Sequence, residues 1–252
     1  MPDELASRLR LTRRVVVLTG AGISAESGVP TFRQAQTGLW AQYDPEELAT
    51  PQAFHRNPKH VWDWYSWRRD LVSRARPNDG HLALTEIERL VPEFTLITQN
   101  VDSLHQRAGT NNIIELHGNL NRIKCANEDR IVSNWREIDG HPPACPDCGG
   151  YLRPDVVWFG ESLSYDVLNR AVQAAREAEI FLTIGTSGIV YPAASLPLEA
   201  VHCGAIGVEI NPEATPLSNQ MTYTLLGPSG SILPALLAAT WPNRSQEGHF
   251  RS

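Results

Sequence analysis

Four short apolar runs, each ending in small or polar residues, limit what this chain can fold into more than any other feature. Val15-Val16-Val17-Leu18-Thr19 stops at Gly20-Ala21-Gly22, and Phe94-Thr95-Leu96-Ile97-Thr98 stops at Gln99-Asn100-Val101-Asp102. Residues 180–184 run into Gly185-Thr186-Ser187, and residues 205–210 run into Asn211. Runs of this length, rich in β-branched residues and closed by turn formers, read as buried strands. Helix-compatible stretches lie at 59–74, 81–90, 101–108, 165–178 and 192–202. Alternating strands and helices predict an α/β fold, a Rossmann-like doubly wound parallel sheet. Ligands of such sheets bind beyond the carboxyl ends of the strands, so the four endings are expected to converge on one crevice.

Residues 118–154 break the alternation, holding three of the four cysteines, a Pro142-Pro143 pair and Gly149-Gly150. They are assigned to a small inserted module, leaving 1–117 and 155–242 as the main domain, with a loop and helical part at about 22–80. Residues 243–252 read as a loose tail. Cys145-Pro-Asp-Cys148 has the two-residue gap of a metal knuckle, and four cysteines are too few for a disulfide scaffold. Cys203 is expected to be a small buried apolar residue. A formal net charge of −6 argues against a general basic surface for nucleic acid. The first residues lack the apolar core of a signal peptide and no later stretch could span a bilayer, so a cytoplasmic location is expected.

Gly20-Ala21-Gly22-Ile23-Ser24-Ala25 follows the first strand and matches the G-x-G-x-x-G/A pattern that lets a backbone approach a pyrophosphate. The acidic residue expected about 20 positions later is missing, since Asp44 sits in an irregular stretch, which disfavours a hydride-transferring dehydrogenase. Five further motifs follow in order: Thr31-Phe32-Arg33, Gln99-Asn100-Val101-Asp102, His117-Gly118, Phe159-Gly160-Glu161 and Gly185-Thr186-Ser187. Together the set resembles the sirtuin (Sir2) family of NAD-dependent protein-lysine deacylases, over residues 15–236.

The resemblance implies that the inserted module is a zinc ribbon and that NAD and an acyl-lysine meet between the two parts. The acyl oxygen would attack C1′ of the nicotinamide ribose, and a base would then activate a ribose hydroxyl. His117 matches the family's catalytic histidine, and imidazole titrates near the working pH. Asn100 and Asp102 match its NAD-site pair, although on the residues alone the same cluster could simply cap a helix from Val101. Gln99 and Val101 accompany them, while Gly20, Ala21, Gly22, Ser24 and Ala25 would cradle the pyrophosphate. Thr31, Phe32, Arg33 and Trp40 would line a cofactor loop, Phe32 shielding the reactive carbon. Gly185, Thr186, Ser187, Asn211, Pro212, Glu213 and Ser229 would complete the NAD site. Val157, Trp158, Phe159, Gly160 and Glu161 on one edge, and Gly188, Val190 and Tyr191 on the other, would hold a substrate peptide as an added strand.

Tyr65 and Arg68 stand three apart in Trp62-Asp63-Trp64-Tyr65-Ser66-Trp67-Arg68-Arg69, on one helix face. This Tyr-x-x-Arg resembles the pair found in sirtuins that remove succinyl and malonyl groups. A guanidinium grips a carboxylate in bidentate fashion and a phenol adds a hydrogen bond, whereas an apolar acyl pocket has no use for either. Pro45 stands where such members carry a small alanine, ahead of Leu48-Ala49-Thr50-Pro51, so acetyl-lysine is expected as a substrate too.

The family's module supplies four thiolates, but here Cys125, Cys145 and Cys148 remain and Glu128 occupies the fourth place, with Asp129, Asp147 and His141 nearby. Two expectations stand side by side: zinc on this incomplete cysteine set, and a metal-free module held by packing. Two other functions compete with deacylation: protein mono-ADP-ribosyl transfer and non-catalytic NAD sensing. Tyr65 and Arg68 weigh against the first, and the set of His117, Asn100 and Asp102 against the second. The expected partners are acylated proteins or peptides, met by a monomer that binds neither nucleic acid nor membrane.

Overall fold

The run RVVVLT forms the central strand β1 (Arg14–Thr19), with five of its residues buried. The structure is a computed structural model that describes residues 1–30, 45–136 and 142–242. The remaining strands are β2 (Glu93–Thr98), β3 (Ile113–Glu115), β4 (Gly118–Cys125), β5 (Leu152–Val156), β6 (Ile180–Ile184), β7 (Ile206–Asn211) and β8 (Tyr223–Leu226). Six of them form one parallel sheet in the order β3-β2-β1-β6-β7-β8, while β4 and β5 pair antiparallel as a separate hairpin. The order reverses between β1 and β6, so the topological switch point lies there.

Successive strand residues point to opposite faces, which explains why the strands read as unbroken apolar runs. Val15, Val17, Leu96, Leu182, Val208 and Ile210 pack on one face. Val16, Leu18, Ile97 and Phe181 pack on the other. The helices are α1 (Asp3–Leu11), α2 (Gly22–Ala25), α3 (Pro45–Leu48), α4 (Pro51–Arg56), α5 (Pro58–Arg74), α6 (Asp79–Leu90), α7 (Leu104–Ala108), α8 (Tyr165–Glu177), α9 (Leu196–His202) and α10 (Ser229–Thr240). Helices α1, α6 and α10 cover the first face, and α8 and α9 the second. Doubly wound α/β is thus the observed class, as the sequence predicts.

The layer containing α4 and α5 packs Phe54, Val61, Trp64 and Tyr65 against Val101, Leu104, Leu120, Val156 and Trp158, over the carboxyl end of the sheet. Both helices start at a Pro behind a capping side chain: Thr50 accepts from the Ala53 N–H at 3.1 Å and Asn57 from the His60 N–H at 3.1 Å. The hairpin has its own small core of Ile123, Cys125, Val132, Cys145 and Leu152, completed by Trp62 from α5. It leaves the sheet directly after His117, and its root is closed by the Val157 N–H donating to the His117 carbonyl at 3.0 Å.

Two expectations need correction. The predicted helix at 101–108 begins only at Leu104, because Asp102 Oδ1 accepts the Leu104 N–H at 2.9 Å and Ser103 is left-handed at φ 61°. Cys203 is exposed, not buried: it caps the end of α9 just before Gly204, whose φ of 97° turns the chain away. The loose tail expected at 243–252 lies outside the described residues. Among the described residues, no helix is long and apolar enough to cross a membrane.

Candidate active site

At the switch point the loop after β1 and the loop after β6 lie back to back. The Gly22 N–H donates to the Gly185 carbonyl at 2.8 Å, and a Cβ on Gly22 would stand 2.6 Å from Gly185 Cα. Gly185 itself sits at φ 61°, so neither position tolerates a side chain without opening the crevice. Gly20 is equally pressed, a Cβ there falling 2.8 Å from the Gly185 carbonyl oxygen. This bare backbone cradle, beyond the carboxyl ends of the two central strands, fits a bulky phosphate-bearing ligand.

The polar residues after β2 meet the cradle. Ser24, fully buried on α2, donates its hydroxyl to Asp102 Oδ2 at 2.7 Å, and Asn100 Nδ2 donates to the Gly20 carbonyl at 3.0 Å and to Ser24 Oγ at 3.2 Å. Asp102 therefore does two jobs, receiving Ser24 through one oxygen and starting α7 through the other. Burial holds its pKa above the ordinary carboxylate value, opposed by the Leu104 N–H, the Ser24 hydroxyl and the charges of Arg68 and Arg107.

His117 is half-buried, and its Nδ1 lies 3.1 Å from the Gln99 carbonyl oxygen. A carbonyl only accepts, so Nδ1 carries the proton and Nε2 keeps its lone pair. Burial lowers the pKa below 6.5, against the Gln99 contact. A neutral imidazole of fixed tautomer is the form a general base requires.

Across the crevice Gln99 Nε2 donates to Thr186 Oγ1 at 3.3 Å, and Asn211 Nδ2 donates to the Thr186 carbonyl at 2.9 Å. The endings of all four predicted strands are thus joined on one side of the sheet. Ser187 is half-buried beside them, Pro212 and Glu213 are exposed, and Ser229 is buried at the start of α10 with its hydroxyl on Glu26 at 3.3 Å. Ala21 and Ala25 flank the cradle on α2 and just before it, and Val101 is buried. Thr31, Phe32, Arg33 and Trp40, named from the sequence, lie outside the described residues, as does His141.

On α5 the phenol of Tyr65 is buried, and its oxygen accepts the Trp158 indole N–H at 2.8 Å. Burial pushes the phenol pKa up to about 12, so it stays protonated at neutral pH. Arg68 is half-buried one turn on, its Cζ 5.3 Å from the Trp64 ring centre and its pKa lowered by burial. Trp158 is held from behind by Arg153, whose Cζ stands 3.3 Å from the indole centre. Arg153 in turn bonds Glu161 at 2.5 and 2.9 Å and the Val156 carbonyl at 2.7 Å. Val157 and Gly160 lie in the same bend. Phe159 there is exposed, as are Val190 and Tyr191 in the loop after β6, beside buried Gly188.

The sequence does not mark Arg153, since its strand Leu152-Arg-Pro-Asp-Val156 holds a second charge, Asp155, and looks like a polar turn. Nor does the sequence mark His81 and His105, two buried histidines whose ring centres lie 4.8 Å apart with their planes tilted by 53°. His105 Nε2 lies 3.0 Å from Thr19 Oγ1, which donates to Thr98 Oγ1 at 2.8 Å.

In the hairpin, ligand atoms of Cys125, Glu128, Cys145 and Cys148 all lie within 4.8 Å of one another. Donors around a tetrahedral zinc stand about 3.8 Å apart, so three sulfurs and a carboxylate oxygen fit such an ion in number and spacing. Backbone N–H groups of Cys148 and Asp147 point at the Cys145 sulfur and lower its pKa. Asp147 instead pairs with Arg130, and Asp129 pairs with Lys124 at 2.6 Å.

The model of the Sir2 family matches residues 20–192. An NAD-dependent protein deacylase of Aquifex aeolicus is 56% identical over 205 residues, covering 81% of this chain and 85% of that one. A protein of the same name from Archaeoglobus fulgidus, numbered 1, is 47% identical over 242 residues, covering 94% and 97%. Among solved structures, a Sir2 homologue in complex with NAD superposes with a TM-score of 0.88 at 45% identity, covering 96% of this chain and 94% of that one. A Sir2 complex with a p53 peptide and NAD+ superposes at 0.81 with 32% identity, covering 93% and 96%. With the family's model spanning most of the chain and relatives this similar over nearly their whole length, the chain belongs to the Sir2 family.

Proposed function

We propose that this chain is an NAD-dependent protein-lysine deacylase that removes acetyl groups and also the acidic succinyl and malonyl groups. Nicotinamide, O-acyl-ADP-ribose and free lysine are the products of this reading. NAD, when bound, supplies a ribose carbon that becomes electrophilic as nicotinamide leaves. The chain's own residues do the rest. Gly20, Gly22 and Gly185 let the backbone meet the pyrophosphate, and Asn100, with Asp102 and Ser24 behind it, presents polar groups to the nicotinamide end. His117 Nε2 takes the proton of a ribose hydroxyl while the Gln99 carbonyl holds Nδ1–H. The segments around Phe159 and Tyr191 receive the peptide, whose main chain bonds along both edges.

The observation that carries the acidic preference is a buried, protonated phenol next to a guanidinium on one face of α5. Together a phenol O–H and a guanidinium offer a carboxylate one hydrogen bond and one charge-assisted pair, which an acetyl group cannot use. Cys125, Cys145, Cys148 and Glu128 would hold a structural zinc that ties the hairpin together without taking part in the chemistry. Four cysteines without a disulfide suit a reducing, cytoplasmic setting, and the described site residues all come from one chain, which supports a monomer.

The test is a peptide assay with acetyl-, malonyl- and succinyl-lysine. Arg68→Met is expected to lower kcat/KM on succinyl-lysine by roughly a hundredfold more than on acetyl-lysine, the cost of a lost charge-assisted pair. Equal losses on all acyl groups overturn the acidic-acyl assignment and leave a plain deacetylase.

A further inference from the structure

We propose that Trp158, held by Arg153, is a positioning residue for acidic acyl chains, its indole N–H satisfying the Tyr65 oxygen and thereby turning the phenol proton toward the substrate carboxylate. The inference rests on the acidic-acyl reading above. An indole nitrogen can only donate, so in the 2.8 Å contact the phenol oxygen is the acceptor. The phenol's own hydrogen then points elsewhere, and no described group accepts it. A carboxylate can only accept, so a pocket for one needs donors aimed inward. Without the indole, the buried phenol oxygen would seek another donor, and Arg68, three residues on along the same face, carries five. The two pocket groups would then engage each other in place of the ligand.

The rest of the local structure fixes the indole. The Arg153 guanidinium lies flat against one face, Phe54 packs with its ring centre 5.3 Å away, and Glu161 Oε2 accepts the Trp158 backbone N–H at 2.8 Å while also pairing with Arg153. Arg153 is 6% exposed and Trp158 3% exposed, so this assembly is buried and not part of the surface. Its Glu161–Arg153 pair gives a buried cation the partner it needs.

Trp158→Phe keeps an aromatic ring in place and deletes the N–H together with part of the indole's bulk, the second loss being common to both acyl substrates. The ratio of kcat/KM on succinyl-lysine to that on acetyl-lysine is expected to fall about tenfold, chiefly through KM for the succinyl peptide. In a Tyr65→Phe background the same substitution should leave the ratio unchanged, because the phenol through which it acts is gone. Arg153→Lys keeps the charge but loses the flat stack, and is expected to lower the ratio in the same direction. It also serves if Trp158→Phe does not fold. An unchanged ratio in both variants, or an equal fall with and without the Tyr65 hydroxyl, overturns the proposal. Failure of the underlying reading looks different: Arg68→Met would then leave the ratio intact.

Discussion

A neutral imidazole with its proton parked on Nδ1 makes His117 a base only while it stays unprotonated. Burial sets its pKa below 6.5, so lowering the pH through that value should add a proton to Nε2 and remove activity. The expected profile of kcat/KM is level above about pH 7 and falls with unit slope on the acid side, the bend lying below 6.5. His117→Ala should abolish that bend and lower kcat by about 10²–10⁴. A variant retaining wild-type kcat would remove His117 from the mechanism. The neighbouring carboxylate shows how one side chain can answer two readings at once. Asp102 is both the helix-starting residue and the partner of Ser24, with one oxygen for each.

Strands of the sheet were legible wherever β-branched residues run without interruption, as in Val15-Val16-Val17, because burial on both faces leaves no polar alternation to blur them. The three residues of β3 and the alternately exposed Tyr223–Leu226 of β8 are too short or too mixed to stand out. Helix α10, SGSILPALLAAT, lacks a polar stripe: it lies between α1 and α6 and is apolar nearly all round, so its period does not show. The site followed the same logic. Its pieces sit at strand ends, where the sequence marks them, but the bonds between pieces join residues far apart in the chain. Nothing local announces that Trp158 would meet Tyr65 or that Arg153 would lie flat on the indole. The hairpin also carries a prediction of its own. Purified protein should hold about one zinc per chain, lost in Cys145→Ser and retained less firmly in Glu128→Ala. Chelation should lower Tm by several degrees, since each ~1 kcal/mol lost costs about 2–4 °C in a chain of this size. Metal-free protein with an unchanged Tm would show that packing around Trp62 suffices.

Stability of the whole molecule should carry the mark of His81 and His105. Burial lowers His81 to about 4, and burial together with the charge of His81 keeps His105 well below 6.5. In the unfolded chain both bind protons near pH 6.5, while the folded chain refuses them until the pH is lower. Their contribution is therefore fully present above 6.5 and is lost as the pH falls toward 4. Each withheld proton adds a slope of up to about 1.4 kcal/mol per pH unit, measurable by urea unfolding between pH 7 and 5. His105→Gln should flatten that slope, and an identical slope in the variant would place the acid sensitivity elsewhere.

The hairpin enters and leaves the molecule at neighbouring points. Gly118 faces Val156 across the ladder, and the Val157 N–H closes onto the His117 carbonyl. A loop rooted in this way behaves as a graft: whatever its tip becomes, the two stumps remain clasped and the imidazole keeps its seat. Glu128 sits at that tip, so a change of ligand there would leave the clasped stumps and His117 as they are.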